Sequence, residues 1–196
     1  MNNDTEIINR LIKHDETAYR EFVEKHQQMV INTCNGFVHN SDDAQDIAQD
    51  VFIEIFRSLK NFRNESKIST WLYRIAVNKS LNFIRKNKKH SILRSIDSYF
   101  DGNDGNNNKI EIPEKNLQYH ESNMDNQERS VILNKAISSL PKNQKIAFTL
   151  NKYDEIKYNE IAEIMSVSLS AVESLIHRAK LGLQKKLVNY YKKNNY

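Results

Sequence analysis

The chain has 196 residues, enough for one domain or two small ones, and 29 basic against 25 acidic residues give a net charge of +4. With only 4 glycines, 2 prolines and 1 cysteine, the composition favours helices with few tight turns and excludes an internal disulfide framework. The N-terminus lacks a signal-peptide pattern and no apolar run approaches the ~18 residues of a membrane span. We therefore expect an all-α protein of the cytoplasm, whose basic balance favours an anionic partner.

Helical periodicity begins near Thr5 and continues to about Val38. Asp15 falls where the pattern breaks and a new N-cap is needed, so two helices are predicted here. Their apolar residues indicate that both helices form part of the core, and neither carries a recognisable catalytic or binding motif.

The clearest amphipathic helix is predicted from Asp42 to Leu59. One side is continuously apolar, and the opposite side carries Asp46, Asp50 and Glu54, with Gln49 and the exposed Ile53 nearby. Three interpretations are available for this acidic side: Asp42 and Asp43 stabilise the helix N-terminus, the acids form a docking surface for a basic partner, or they bind a divalent metal. A metal is least favoured because one helix edge supplies few converging ligands, and the docking interpretation stays open.

A polar loop from Lys60 to Ile68 holds one aromatic residue, Phe62, and leads into a helix predicted from about Ser69 to Lys86. Most of this helix is apolar. What remains is a line of side chains three or four residues apart, here called the stripe: Trp71, Arg74, Asn78, Asn82 and Arg85.

An aromatic ring, two amides and two guanidinium groups in one line suit stacking, base-edge and phosphate contacts with nucleic acid. An amphipathic helix with a solvated polar edge and a core Trp71 explains the stripe equally well. Beyond Arg85 the chain turns basic, which suits either a helix C-terminus or a phosphate backbone.

Helical patterning fades between about Ser91 and Asn126, where half of the glycines and a run of asparagines occur. This composition predicts a flexible linker at 91–126 between an N-terminal domain at 1–90 and a C-terminal domain at 127–196.

The C-terminal domain is predicted to end in a helix-turn-helix. A helix from Tyr158 to Met165, a break at 166–168 and a final helix from Leu169 to about Tyr190 have the required lengths. Small and polar side chains followed by an arginine suit the major groove, and this recognition face comprises Ser170, Ala171, Glu173, Ser174, His177 and Arg178.

Several segments together resemble sigma factors of the sigma-70 family, in the extracytoplasmic-function (ECF) group that keeps only regions two and four. The resemblance covers about Asp15 to Lys89 and Leu133 to Leu187. The motifs that carry it are DDAQDIAQDVF at 42–52, STWLYRIAVN at 69–78, LP at 140–141, EIAEI at 160–164 and AVESLIHRAK at 171–180.

This resemblance implies roles for each surface. The acidic helix would dock on the clamp helices of the largest catalytic subunit of RNA polymerase through Asp46, Gln49, Asp50 and Ile53. The loop and stripe would engage the minus-ten promoter element, with a base flipped from the duplex, through Phe62, Arg63, Ser66, Lys67, Trp71, Arg74, Asn78, Asn82 and Arg85. The recognition face would read the minus-thirty-five element as duplex, and the linker would thread the RNA exit path. Many relatives are held by an anti-sigma factor, so such a partner is also implied.

The sequence departs from the family pattern at several positions. Ser166 stands where many relatives have Gly at the turn, Lys157 replaces a Ser or Thr cap, and Glu173 and Leu175 replace basic residues. The first two departures would each lower the stability of the C-terminal domain by roughly 1 kcal/mol unless another group caps the helices.

No set of nucleophile, base and orienting group can be assembled, and the six histidines show no metal-binding spacing. We therefore expect a DNA-binding transcription initiation factor that is not an enzyme and needs no cofactor. Two other hypotheses are a helix-turn-helix regulator that never touches polymerase and, more remotely, a metal-dependent nucleic-acid enzyme.

Overall fold

The computed structural model describes residues 3–59, 62, 66–100 and 121–193, with side chains described for 6–59, 62, 66–88 and 128–193. Within these ranges the chain forms eight helices and no strand, which confirms the all-α prediction. The helices are α1 (Asn3–Ile12), α2 (Glu16–Val38), α3 (Ser41–Ser58), α4 (Ile68–Phe100), α5 (Glu121–Ser138), α6 (Lys142–Lys152), α7 (Tyr158–Met165) and α8 (Leu169–Lys193).

The predicted helix starts are explained by local caps. Asp15 begins α2 by accepting hydrogen bonds from the backbone N–H groups of Thr17 and Ala18, at 2.9 and 3.1 Å. Asn40 does the same for α3 through Asp42 and Asp43, both at 3.0 Å. These side chains satisfy donors that have no partner inside the helix, so they fix where each helix starts.

The helices α1 to α4, here called the N-terminal bundle, enclose one apolar core. Val30, Val51, Ile55 and Leu72 are fully buried in it. Aromatic rings add to this core: Phe22 meets Phe52 edge to face with ring centroids 6.3 Å apart. One side of α3 is thereby committed to packing, which leaves its acidic side outward.

The helices α5 to α8, here called the C-terminal bundle, are closed around Ile137, Leu150, Ile161 and Ile176, all buried. Between α7 and α8 the chain makes the predicted turn. Ser166 takes up the left-handed conformation at φ 55°, and its N–H and that of Val167 bond back to Glu163 and Ala162. This is the hydrogen-bond pattern of a helix-terminating Schellman turn, made here without glycine.

The two bundles pack against each other and share a core cluster. Phe37 of α2 and Val77 of α4 are buried together with Ile146 and Leu150 of α6 and Ile164 of α7. The N-terminal bundle thus contributes side chains of α2 and α4 to the hydrophobic surface that covers the C-terminal bundle.

Two boundaries differ from the sequence prediction. Helix α4 continues to Phe100 and α5 begins at Glu121, so residues 91–100 and 121–126, predicted as linker, are helical. Within 91–100 the apolar residues Ile92, Leu93, Ile96 and Phe100 recur at helical spacing, which favours continuation of α4. The rest of the predicted linker, 101–120, lies outside the described residues. No helix in the described part of the chain has the length and apolar character needed to cross a membrane.

Candidate nucleic-acid and polymerase interfaces

The acidic face of α3 is built as the sequence predicted. Asp46, Gln49 and Asp50 are exposed, and Ile53 keeps 46% of its surface in solvent although neighbouring residues of the same helix are buried. Positions 46, 49, 50 and 53 follow one another along one helix side. A large exposed apolar side chain at the end of an acidic line is suited to a protein surface that offers both a cation and an apolar patch.

A metal at this face finds no support from the arrangement of side chains. Among the residues described, no group of three or more His, Cys, Asp or Glu side chains converges as ligands. Glu54, the last acid of the helix, instead pairs with Lys79 of α4, whose Nζ lies 3.3 Å from a Glu54 carboxylate oxygen.

The stripe on α4 begins with an aromatic pair. The Trp71 ring lies against Phe62, with centroids 4.9 Å apart and planes tilted by 38°. Both side chains are partly buried against the core of the N-terminal bundle. Trp71 is therefore neither a fully enclosed core residue nor a free one, and each ring keeps a part of its surface accessible.

The distal part of the stripe is exposed to solvent. Asn78, Asn82 and Arg85 all lie on the surface, and an Arg85 Nη2 donates to the Asn82 amide oxygen at 3.2 Å. Of the preceding loop, Ser66 is partly buried and Lys67 is exposed, whereas Arg63 lies outside the described residues.

Arg74, in the middle of the stripe, is the residue whose surroundings the sequence missed. Its Nη2 donates to the Glu163 carbonyl oxygen at 2.6 Å and its Nε to that of Ile164 at 3.1 Å. A further bond of 3.1 Å joins Nη2 to the Ser166 hydroxyl. The guanidinium group thus holds the end of α7, whereas the sequence placed it on an open surface.

The recognition face of α8 is open along its length. Ser170, Glu173, Ser174, His177 and Arg178 are exposed, and Ala171 is partly buried. The hydroxyl of Ser168 accepts a hydrogen bond from the N–H of Ala171 at 3.2 Å and so caps the helix, although α7 has no side-chain cap at Lys157. The Arg178 Nε donates to the Ser174 carbonyl at 3.2 Å, which leaves its Nη groups directed along the face.

Three polar groups between the bundles, one buried and two partly buried, were not singled out from the sequence. Lys145 is 5% exposed, and its Nζ donates to the Phe37 carbonyl at 3.2 Å. Asp154 meets Thr33 at 3.0 Å, and His39 lies close to Lys145. Burial lowers the pKa of Lys145 to about 8 and that of His39 to about 4, and raises the pKa of Asp154 to about 6.

Periodicity could not reveal these groups because their partners lie about 100 residues away in the chain. One local signal was present: Gly36 lies inside a helix, where glycine is unfavourable without a packing reason. A Cβ at this position would lie 3.0 Å from Thr149 Cγ2 and 3.4 Å from Tyr153 Cβ, so α6 approaches α2 where no side chain intervenes.

Two family models match separate parts of this chain. The family model described as Sigma-70 region 2 matches residues 22–90, and the model described as Sigma-70, region 4 matches residues 130–183. RNA polymerase sigma-H factor of Pseudomonas aeruginosa is 31% identical over 188 residues, which span 94% of this chain and 93% of the relative.

ECF RNA polymerase sigma-E factor of Escherichia coli K12 is likewise 31% identical, over 184 residues and 94% of both chains. In fold the chain resembles CnrH, solved in complex with the cytosolic domain of CnrY, with a TM-score of 0.64, 18% identity and coverage of 95% of this chain and 97% of that one. This chain therefore belongs to the sigma-70 family as a sigma factor of the ECF type, a factor for promoter-specific transcription and not an enzyme.

Proposed function

We propose that this sigma factor uses three separate surfaces to start transcription. The acidic face of α3 binds core RNA polymerase, the loop and stripe engage and open the minus-ten element, and the recognition face of α8 reads the minus-thirty-five element as duplex. The observation that carries the proposal is the position of Ile53, an apolar side chain left 46% exposed beside Asp46 and Asp50 on the outward side of α3.

A protein partner accounts for this exposure better than nucleic acid does. Phosphate groups would be repelled by the two carboxylates, whereas a basic surface with an apolar patch would satisfy both the charge and Ile53. E. coli sigma-E and P. aeruginosa sigma-H are both described as RNA polymerase sigma factors, and this relationship supports core polymerase as the partner.

The side chains of the stripe are suited to binding an unpaired base. Opening a duplex and extruding a base costs a few kcal/mol, which protein contacts must offset. Trp71 and Phe62 provide stacking surfaces, Asn78 and Asn82 provide amide donors and acceptors, and Arg85 provides a charge for phosphate. Residues 101–120, proposed to thread the RNA exit path, lie outside the described residues.

The recognition face supports duplex reading in the major groove. Small residues at the start of α8 allow close approach, and Arg178 is placed one turn after Ser174 where it can reach a base edge. Glu173 disfavours a generic phosphate surface and fits acceptance from a cytosine amino group.

The polymerase role is tested by co-elution with bacterial core RNA polymerase on a sizing column. The wild type should co-elute, and Asp50→Lys should not, because it reverses the charge in the middle of the acidic face. The control Glu24→Lys makes the same charge change at an exposed position of α2 and should co-elute. Equal co-elution of both variants would remove the role assigned to the acidic face. If the wild type stays apart from polymerase but binds duplex DNA, an independent helix-turn-helix regulator becomes the better description.

A further inference from the structure

The first residue of α8, Leu169, is an exposed apolar side chain that neither the core nor the proposed polymerase surface uses. It keeps 47% of its surface in solvent, whereas Val172 and Ile176, on the buried side of the same helix, fill the core of the C-terminal bundle. Exposure alone does not mark a binding residue, because isolated apolar side chains are common on protein surfaces. Leu169 differs by its place, directly before Ser170 at the start of the helix that carries the recognition face.

The polar groups around Leu169 are engaged with the helix itself. The Ser168 hydroxyl accepts a hydrogen bond from the N–H of Ala171 at 3.2 Å and lies 3.1 Å from the Ser170 hydroxyl. These contacts cap α8 and hold the backbone of its first turn. Leu169 has the largest side chain of residues 168–171, so an aliphatic group is the main surface that this end of the helix offers to a ligand.

The side chain of Glu173 lies one turn further along the same edge of α8. Residues four apart are neighbours on a helix surface, with Cβ atoms about 5–6 Å apart, and both Leu169 and Glu173 are exposed. An ionised carboxylate only accepts hydrogen bonds, and the cytosine amino group is a donor in the major groove. The recognition face therefore presents an apolar group and a hydrogen-bond acceptor side by side.

The major groove contains one apolar group that matches Leu169. All base pairs present hydrogen-bonding groups there, but only thymine adds a methyl group, at C5. Contact between a leucine side chain and this methyl group removes apolar surface of both from water, which is favourable. Such a contact selects thymine without any hydrogen bond, because the other three bases have no methyl group at that edge.

We propose that Leu169 reads the C5-methyl group of a thymine in the minus-thirty-five element, within two base pairs of the pair that Glu173 reads. This proposal rests on the proposed role of the recognition face in binding duplex DNA. Stacked base pairs are about 3.4 Å apart, so two side chains about 5–6 Å apart along a helix reach bases one or two steps apart. Leu169 thereby adds a preference for thymine beside the preference of Glu173 for cytosine.

The test removes the methyl group from the DNA and the side chain from the protein in turn. Deoxyuridine pairs as thymidine does and lacks only the C5-methyl group. The DNA is a promoter duplex selected from random sequence by the complex of the full chain with core RNA polymerase. Each thymine of its minus-thirty-five element is replaced singly by deoxyuridine, and competition binding measures the affinity of the complex for each duplex.

The wild type should bind about fourfold more weakly when one particular thymine is replaced, which is the factor expected for the burial of one methyl group. Leu169→Ala should bind the thymine and deoxyuridine duplexes equally. Leu169→Met keeps an apolar side chain and a good helix former, and it should retain the dependence on the methyl group.

The matched control is Leu181→Ala. It removes the same side chain from the same helix, at a position that is 52% exposed and about 18 Å further along the axis. This variant should respond to deoxyuridine as the wild type does. All of these variants should keep the urea midpoint of the wild type, because each changes an exposed side chain.

Two outcomes would overturn the proposal: no thymine whose methyl group affects binding, or a dependence on the methyl group that Leu169→Ala retains in full. The position of the thymine is a further check. Glu173→Ala should relax the preference for one cytosine, and a methyl-dependent thymine more than two base pairs from it would contradict the shared geometry.

Failure of the proposed function has a different result. In that case the complex would bind duplexes with an intact and a scrambled minus-thirty-five element equally, and Arg178→Ala would have no effect on this comparison. The role of Leu169 would then fail together with that of the recognition face. Discrimination that Arg178→Ala weakens, combined with indifference to the methyl groups, would overturn the role of Leu169 alone.

Discussion

Asp154 offers a sharp test of the interface because its ionised form is poorly stabilised there. The Thr33 hydroxyl lies 2.8 Å from the Met29 carbonyl oxygen and 3.0 Å from Asp154 Oδ1. A hydroxyl has one hydrogen, so it cannot donate to both oxygens. The carboxylate of Asp154 therefore competes with the Met29 carbonyl for that hydrogen, and its second oxygen is buried without a hydrogen-bond partner among the described residues.

Burial of the carboxyl outweighs the opposing effect of the Thr33 hydrogen bond and raises the pKa of Asp154 from its ordinary 3.8 to about 6. A raised pKa in the folded state means that stability is fully present below pH 3.8 and is lost as the pH rises through about 6. At about 1.4 kcal/mol for each pH unit between the two values, the loss is about 3 kcal/mol at most.

Asparagine at position 154 should reproduce the neutral carboxyl at every pH, since its amide oxygen can accept from Thr33. We expect Asp154→Asn to equal the wild type in unfolding free energy near pH 4 and to exceed it by up to about 3 kcal/mol at pH 8. Urea unfolding followed by circular dichroism at several pH values measures the difference. Glu24→Gln, at an exposed carboxylate, should change stability by less than about 0.5 kcal/mol.

Other titrating groups do not affect the difference in stability between Asp154→Asn and the wild type. Lys145 and His39 are present in both proteins, so their contributions cancel in the difference. Two further acids, Cys34 and Tyr73, interact electrostatically with Asp154. Burial is the main cause that raises their pKa values, to about 11 for Cys34 and about 12 for Tyr73, so both stay neutral between pH 4 and pH 8. A stability difference that is the same at pH 4 and pH 8, or a variant less stable than the wild type at pH 8, would refute the reasoning.

Three further substitutions test separate parts of the molecule. Asp15→Ala should cost about 1 kcal/mol of unfolding free energy by urea denaturation because α2 loses its N-cap, and an unchanged value would mean that water replaces the cap. Trp71→Ala should impair promoter opening, read by permanganate footprinting, more than duplex binding, since it removes the stacking partner of Phe62; a footprint equal to the wild type would leave Trp71 a packing residue only. Arg178→Ala should lose about 1–3 kcal/mol of discrimination at one base pair in competition binding, whereas a uniform loss over all sequences would indicate a phosphate contact.

Much of the fold follows from local sequence. The bounds of α7 match the prediction from Tyr158 to Met165, because apolar spacing and the left-handed Ser166 act within a few residues. The exposed acids and Ile53 were predicted for the same reason, since the buried side of α3 leaves only one orientation for them.

The interface between the bundles could not be predicted in this way. Arg74 lies on the polar side of its helix, and nothing in the sequence near it indicates its partner, which is about 90 residues away. Lys145 and Asp154 look like surface charges in the sequence, but at the contact with the other bundle Lys145 is buried and Asp154 is partly buried. The continuation of α4 to Phe100 was missed because the apolar residues Ile92, Leu93 and Ile96, although they lie at helical spacing, were assigned to the linker.

The central claim is that this chain directs core RNA polymerase to promoters. The most direct measurement is to sequence the 5′ ends of RNA made by core polymerase on fragmented bacterial DNA, with and without the purified chain. The account predicts new 5′ ends that lie downstream of two shared sequence elements at a constant spacing, and their loss with Asp50→Lys. The same set of 5′ ends with and without the chain would contradict it.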